Sequence, residues 1–411
     1  MRDEQGKDEI MFTEGMTLEE YNKLLDKWFA ERNKKKGETY IPRVGVLPPD
    51  IRVTLQAGLN NEWVTTDTIR HYADAIGDKN PLWRSYEYAK RTRWGSIIAP
   101  PTYIDCIAPT FVADRAGMPI GSRPLVAGSK RWWFKPILPG DRFRVIDRYL
   151  GIEEKKHIED RSYRLFIDTT RRTYINQKNE IVAISDAPLI IPCYRTAEMM
   201  KSVLPKVTKY RHYTQEELDA IHRAYEEENR RGDEIRYWED VVAGEELKPI
   251  VSGPLDVADN ACFLGALGFI GAFGVKWEMI KADPSWAHIN PLTGELNSAS
   301  ESHLGDISSM ARGGTIGFGY AAQTEGLLSH LITNWMGDDG FLKYLECKSR
   351  RPNWLGDTSW MKGKVTKKYV ENDEYLVDIE AHAENQEGII HMPCNATVRL
   401  LSRTENQVWS L

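Results

Sequence analysis

The residues of this chain best suited to moving protons near neutral pH are its nine histidines with the carboxylates around them, and its five scattered cysteines. The cysteines (Cys106, Cys193, Cys262, Cys347 and Cys394) form no CxxC pair, so neither a zinc knuckle nor a disulfide framework is indicated. No P-loop, GxSxG or HExxH occurs, and no GxGxxG follows a strand pattern, which leaves nucleotide hydrolysis, serine hydrolysis, zinc proteolysis and nicotinamide chemistry without support. Two stretches concentrate what remains. Residues 75–103, AIGDKNPLWRSYEYAKRTRWGSIIAPPTY, set Asp78 and Asn80 in a Gly/Pro-marked turn ahead of Trp83. Residues 298–326, SASESHLGDISSMARGGTIGFGYAAQTEG, set His303 between Glu301 and Asp306 and lead into Gly317-Phe318-Gly319-Tyr320. Histidine can take or give a proton near neutral pH, whereas Trp83 cannot. Asp78 and Asn80 also suit a purely bracing role, since short polar side chains hold turns by bonding to backbone.

The other histidines carry weaker signals. His71 and His330 fall on helical patterns and read as packing or capping residues; His157, His212 and His222 stand in polar surroundings and are expected to face solvent. His288, with Asp283 five residues ahead, is a lesser pocket candidate, and His382 and His391 belong to strand patterns.

The elements that must position these residues come in two similar sets. Thr17 with Glu20 and Thr214 with Glu217 form two capping boxes, opening amphipathic helices that stop near Gly37 and Gly232. Each is followed by a shorter helical segment, TTDTIRHYADAIGD in one half and PLDVADNACFLGALG in the other. Each half then predicts an apolar helix, Pro100–Asp114 and Gly319–Gly337, and strand runs broken at Gly140-Asp141 and Gly356-Asp357. The common order indicates an internal duplication. It divides the chain into a helical extension (1–45), a first unit (46–197), a linker with a helix (198–234) and a second unit (235–411). Each unit is expected to be a bent antiparallel sheet around one helix, an α+β fold.

On these residues the chain resembles the MaoC-like double-hotdog hydratases and dehydratases of acyl thioesters. The resemblance rests on Ala75, Gly77, Asp78, Asn80, Pro81, Leu82, an aromatic at position 83, Tyr88-Ala89, and the bend Gly95, Ile97-Ile98-Ala99-Pro100-Pro101. It implies two hotdog folds in tandem. Active members carry an Asp and a His on this loop, which bind and activate water, and a backbone amide at the helix start that holds the thioester oxygen. Here position 83 is Trp and the helix start is Pro100-Pro101, where proline offers no amide hydrogen. The first unit is therefore expected to be inert, with Asp78 and Asn80 kept for structure. In the second unit the resemblance implies His303 as general acid/base, with Asp306, Glu301 or Glu295 as its carboxylate because Ser298 holds the usual Asp position; Asp306 is the first choice. Gly317, Gly319 and Tyr320 would form the oxyanion and substrate-binding entrance.

The expected reaction is reversible hydration of a 2-enoyl-CoA, or dehydration of the 3-hydroxyacyl-CoA, by a hydro-lyase needing no cofactor or metal beyond coenzyme A as part of its substrate. Lys348, Arg350 and Arg351 could meet coenzyme A phosphates or simply protect a solvated strand edge. Two rivals stay open. A hotdog thioesterase would use Glu325 inside the second helix, and a non-catalytic acyl-CoA-binding subunit would complement a separate hydratase. The mixed charge, net −6, gives no basic field for nucleic acid, and the longest apolar run is too short to span a bilayer. The charged N-terminus lacks a signal-peptide pattern, so a cytoplasmic protein is expected, either a monomeric double hotdog or a homo-oligomer.

Overall fold

The computed structural model describes residues 15–40, 59–109, 118–119, 121–155, 163–196, 198–200, 210–268, 277, 287–311 and 315–404. The expected residues His157, Asp283 and the Gly313-Gly314 pair lie outside the described residues.

The strands are β1 (Thr39–Tyr40), β2 (Leu125–Val126), β3 (Gly128–Trp133), β4 (Arg144–Glu154), β5 (Tyr163–Ile175), β6 (Ile181–Tyr194), β7 (Glu246–Ser252), β8 (Ala287–Ile289), β9 (Leu296–Ser298), β10 (Phe341–Lys348), β11 (Ser359–Glu371), β12 (Glu374–Asn385) and β13 (Ile390–Arg399). All but β8 and β9, which form a small hairpin, join one antiparallel sheet in the order β1-β4-β5-β6-β3-β10-β13-β12-β11-β7, with β2 beside β6. The order is a palindrome about β3 and β10: β6 answers β13, β5 answers β12, and β4 answers β11. The two units are joined edge to edge at the β3–β10 ladder, where Arg131 faces Leu345 and Trp132 faces Tyr344. Joining the two edges removes an exposed row of unpaired backbone groups from each unit. Burial alternates along β5 and β12, as strands with one face against a core require.

Both capping boxes form: Thr17 accepts from the Glu20 amide, and Thr214 from that of Glu217. The first helix, Leu18–Lys34, packs Tyr21 and Leu25 against Tyr149, Phe166 and Ile191, and Arg32 meets Asp168 at 2.7 Å. The second unit's central helix, Ala321–Met336, is buried at every residue from Ala322 onward, as expected of a helix wrapped by a sheet. Its first-unit counterpart differs from expectation. A 3-10 turn at Pro101–Tyr103 runs into a short helix, Ile104–Ile107, that ends at an extended Ala108. Pro109 follows, and a residue before proline is driven out of the helical region, so this helix stops at Ile107; the expected continuation over 110–114 lies outside the described residues.

The two units share one hydrophobic core. Gly326 allows their close approach: a Cβ there would lie 2.6 Å from the Ile76 side chain. At the seam the buried Arg131 guanidinium bridges the units. It contacts Asp105 of the first unit at 2.9 Å, Glu325 of the second, and Ser129, whose hydroxyl donates to Glu325 at 2.8 Å.

Candidate functional site

The first signature loop is built as a closed polar knot. Gly77 takes φ of +67°, a left-handed turn that ends the Thr66–Ala75 helix and brings Asp78 inward. The Asp78 carboxylate accepts from the Asn80 amide at 2.9 Å and from Trp83 Nε1 at 2.8 Å. Asn80 Oδ1 caps the Pro81–Trp83 turn through the Leu82 amide, and its Nδ2 donates to Asp338 Oδ1 at 2.8 Å. Trp83 thus gives the carboxylate a hydrogen bond but keeps its proton. Pro101 lacks an amide hydrogen, and its carbonyl is taken by Trp133 Nε1 at 2.8 Å.

In the second unit His303 closes the Ala299–His303 turn. Its Nδ1 lies 2.8 Å from the Phe318 carbonyl, which can only accept, so the network assigns a proton to Nδ1. The imidazole stacks on Tyr320, with ring centroids 3.8 Å apart at 26°, and meets Phe318 edge-on at 4.4 Å. Tyr320 is the N-cap of the Ala321–Met336 helix and makes no side-chain cap. The first amides of that helix, at Ala321 and Ala322, have no partner within the helix and bring the positive end of its dipole to the imidazole's neighbourhood. Asn260, on the Val257–Leu267 helix, donates through Nδ2 to the carbonyls of His303 at 2.7 Å and Phe318 at 3.2 Å.

Three expected roles need correction. Asp306, the expected partner of His303, is used as a brace: it accepts the Tyr210 hydroxyl at 2.8 Å and the Gly317 amide at 2.8 Å. That commits Gly317, and the Gly319 amide donates to the Asn353 carbonyl at 2.7 Å. Neither glycine therefore presents its amide to a ligand; the orphan donors lie two residues further on, at the helix start. Tyr320 does reach the site, through its ring. Of the other carboxylates, Glu301 shares the turn of His303, and Glu295 is exposed in the β8–β9 hairpin beyond.

Comparison with known proteins agrees with this architecture. A family model described as the FAS1-like dehydratase domain region matches residues 53–185. A solved MaoC-like dehydratase superposes with a TM-score of 0.60 over 89% of this chain and 99% of its own, at 15% identity. A Mycobacterium tuberculosis protein described as a double hotdog does so at 0.53, over 89% and 96%, at 10% identity. The chain has the double-hotdog fold of these structures. A Thermomonospora curvata protein named as a probable enoyl-CoA hydratase alpha subunit is 27% identical over 184 residues, 41% of this chain and 50% of that one. The chain spans about half the length of the curated relatives it matches, 57% and 50% for two of them.

Two side chains have roles that spacing along the chain does not reveal. Glu325 looks like a carboxylate waiting inside a helix, yet it is tied to Arg131 and Ser129 at the seam. His330 looks like a packing residue, yet its Nε2 lies 2.8 Å from Glu228 and 3.8 Å from Asp78, joining linker, first unit and second unit. Burial pulls its pKa down, but Asp78 and Glu228 more than offset this and the net shift is upward. Beside this knot lies a cavity of about 30 Å³ lined by Trp83, Trp94, Trp133, Ile98, Met336 and Asp338, room for a water or two. All three indole N–H groups are committed elsewhere, to Asp78, the Asp338 carbonyl and the Pro101 carbonyl. No helix among the described residues is long and apolar enough to cross a membrane.

Proposed function

We propose that this chain is a hydro-lyase that hydrates a 2-enoyl-CoA reversibly, in the cytoplasm, with coenzyme A entering only as part of the substrate. The observation that carries the reading is His303, its Nδ1 anchored to a backbone carbonyl, beside an uncapped helix N-terminus. His303 Nε2 takes a proton from water as the water oxygen bonds to the β-carbon. The displaced π pair moves to the thioester oxygen, held by the orphan amides of Ala321 and Ala322. The enolate then collapses as the α-carbon takes a proton, with His303 as its donor. The first unit would complete and shape the acyl channel without doing chemistry.

A panel of 2-enoyl-CoA esters tests this by loss of enoyl absorbance and release of free thiol. Hydration without thiol release is expected, and His303→Ala should lower it about 10²–10⁴-fold; unchanged activity would remove His303 from the mechanism. The thioesterase alternative loses its best carboxylate to the Arg131 pair. A second reading, a non-catalytic acyl-CoA-binding subunit, is favoured by the commitment of Asp306 to Tyr210 and Gly317. It predicts acyl-CoA binding with neither product.

A further inference from the structure

The duplication supplies an internal control for the residues around His303. The Thr66–Ala75 helix is capped by Thr65 and the Val257–Leu267 helix by Asp256. Counting from each cap, Tyr72 answers Phe263 and Ile76 answers Leu267, and all four side chains are buried. Tyr72 and Phe263 touch, with ring centroids 6.3 Å apart, so the registers correspond in space as well as in sequence. The same count pairs Ile69 with Asn260, both 0% exposed. The inert unit fills this position with hydrocarbon; the unit that carries His303 fills it with a carboxamide.

A fully buried amide without partners is costly, and half of this one is satisfied in a telling way. Its Nδ2 donates to the His303 carbonyl and to the Phe318 carbonyl, the second being the oxygen that fixes His303 Nδ1. Its Oδ1 is buried and has no protein partner. The hydroxyl of Ser302, beside His303, and Oδ1 of Asn353, whose carbonyl holds the Gly319 amide, are likewise buried without one. Buried polar atoms left in this state call for a water or a ligand group.

We propose that Asn260 is the positioning residue of the His303 site and that its Oδ1 accepts a hydrogen bond from the reacting water. This rests on the hydratase reading above. Nδ2 holds the Phe318 carbonyl so that the imidazole keeps its proton on Nδ1 and its lone pair on Nε2. Oδ1 takes over the orienting half of the work a carboxylate would do where Ser298 now stands. The amide oxygen takes no proton; the water's proton goes to His303 Nε2 as the oxygen–carbon bond forms.

The test is Asn260→Ile, which copies the inert unit, with Asn260→Thr as a variant that keeps one hydroxyl donor in a similar shape. Imidazole nitrogen shifts of His303 and enoyl-CoA hydration kinetics are measured on wild type and both variants. Expected are a single Nδ1–H tautomer in wild type, a mixed tautomer in Asn260→Ile, a fall in kcat of about 10²-fold with KM within a factor of about two, and intermediate values for Asn260→Thr. Unchanged tautomer and kcat in a folded Asn260→Ile would overturn the proposal. Should Asn260→Ile fail to fold, the same comparison is made with Asn260→Thr, and wild-type values there overturn it. If wild type hydrates none of the esters, the hydratase reading fails by itself. The tautomer then still decides the positioning role: a change on substitution supports it, and no change refutes it.

Discussion

The loops at Asp78 and His303 occupy corresponding places in the two units, and their differences run in one direction. In the first, the aromatic ring donates to a buried carboxylate, the helix begins with prolines, and the position beneath is Ile69. In the second, an imidazole is fixed by a carbonyl, the helix begins with orphan amides, and the position beneath is Asn260. Each of these groups in the first loop packs or braces its surroundings. The knot at Asp78 and Asn80 reaches across to His330 and Asp338 of the second unit, so this loop helps to hold the other unit in place.

Breaking the join between the units should have the largest effect. Arg131→Met leaves Asp105 and Glu325 buried without their cation, a change expected to cost about 3–5 kcal/mol. Replacing all three groups by apolar residues should return most of it, because the desolvation penalty then goes with the charges. Urea unfolding midpoints check this. A single variant as stable as wild type would mean that the units are held by the sheet and core alone.

The next effect restores a histidine to the first loop. Trp83→His in a His303→Ala background should give no hydration, since the proline at position 101 still offers no amide to the oxyanion. The same change should destabilise by about 2–4 kcal/mol, as the indole is 2% exposed and lines the cavity. Recovered hydration of an enoyl-CoA would show that the first unit lacks only its histidine.

The duplicated order of elements, both capping boxes and the wrapped helix were legible because each depends on local spacing: a Thr and a Glu three apart, an apolar run between glycines. The turn that carries His303 ahead of the wrapped helix was legible for the same reason, as part of a loop pattern. Asp306 was misread because spacing along the loop cannot reveal Tyr210, 96 residues away, reaching for the same carboxylate. His330 and Glu325 were missed as linking residues because Asp78 and Arg131 meet them only once the two edges join. Asn260 had a signal, a polar residue at the place its duplicate gives to Ile69, and reading it required aligning the two helices by their caps.

The smallest effects are in the pH dependence of stability, and they separate the join from the second unit itself. His330, between Asp78, Glu228 and the more distant Arg230, has its pKa raised on folding. Its contribution is therefore complete below pH 6.5, the ordinary value, and is lost as pH rises through the raised one. His391 lies on β13 of the second unit, its Nε2 3.0 Å from the Ser359 hydroxyl, and burial, with a smaller push from His382, lowers its pKa to about 4. The unfolded chain protonates this residue first, so stability falls as pH drops from 6.5 towards about 4. Melting temperatures of His330→Asn and His391→Gln across pH 4.5–9 should accordingly flatten opposite limbs of the wild-type profile, the alkaline limb for the first and the acid limb for the second. If both variants flattened the same limb, His330 would not be the charged member of a join between the units, and the Asp78 loop would brace only itself.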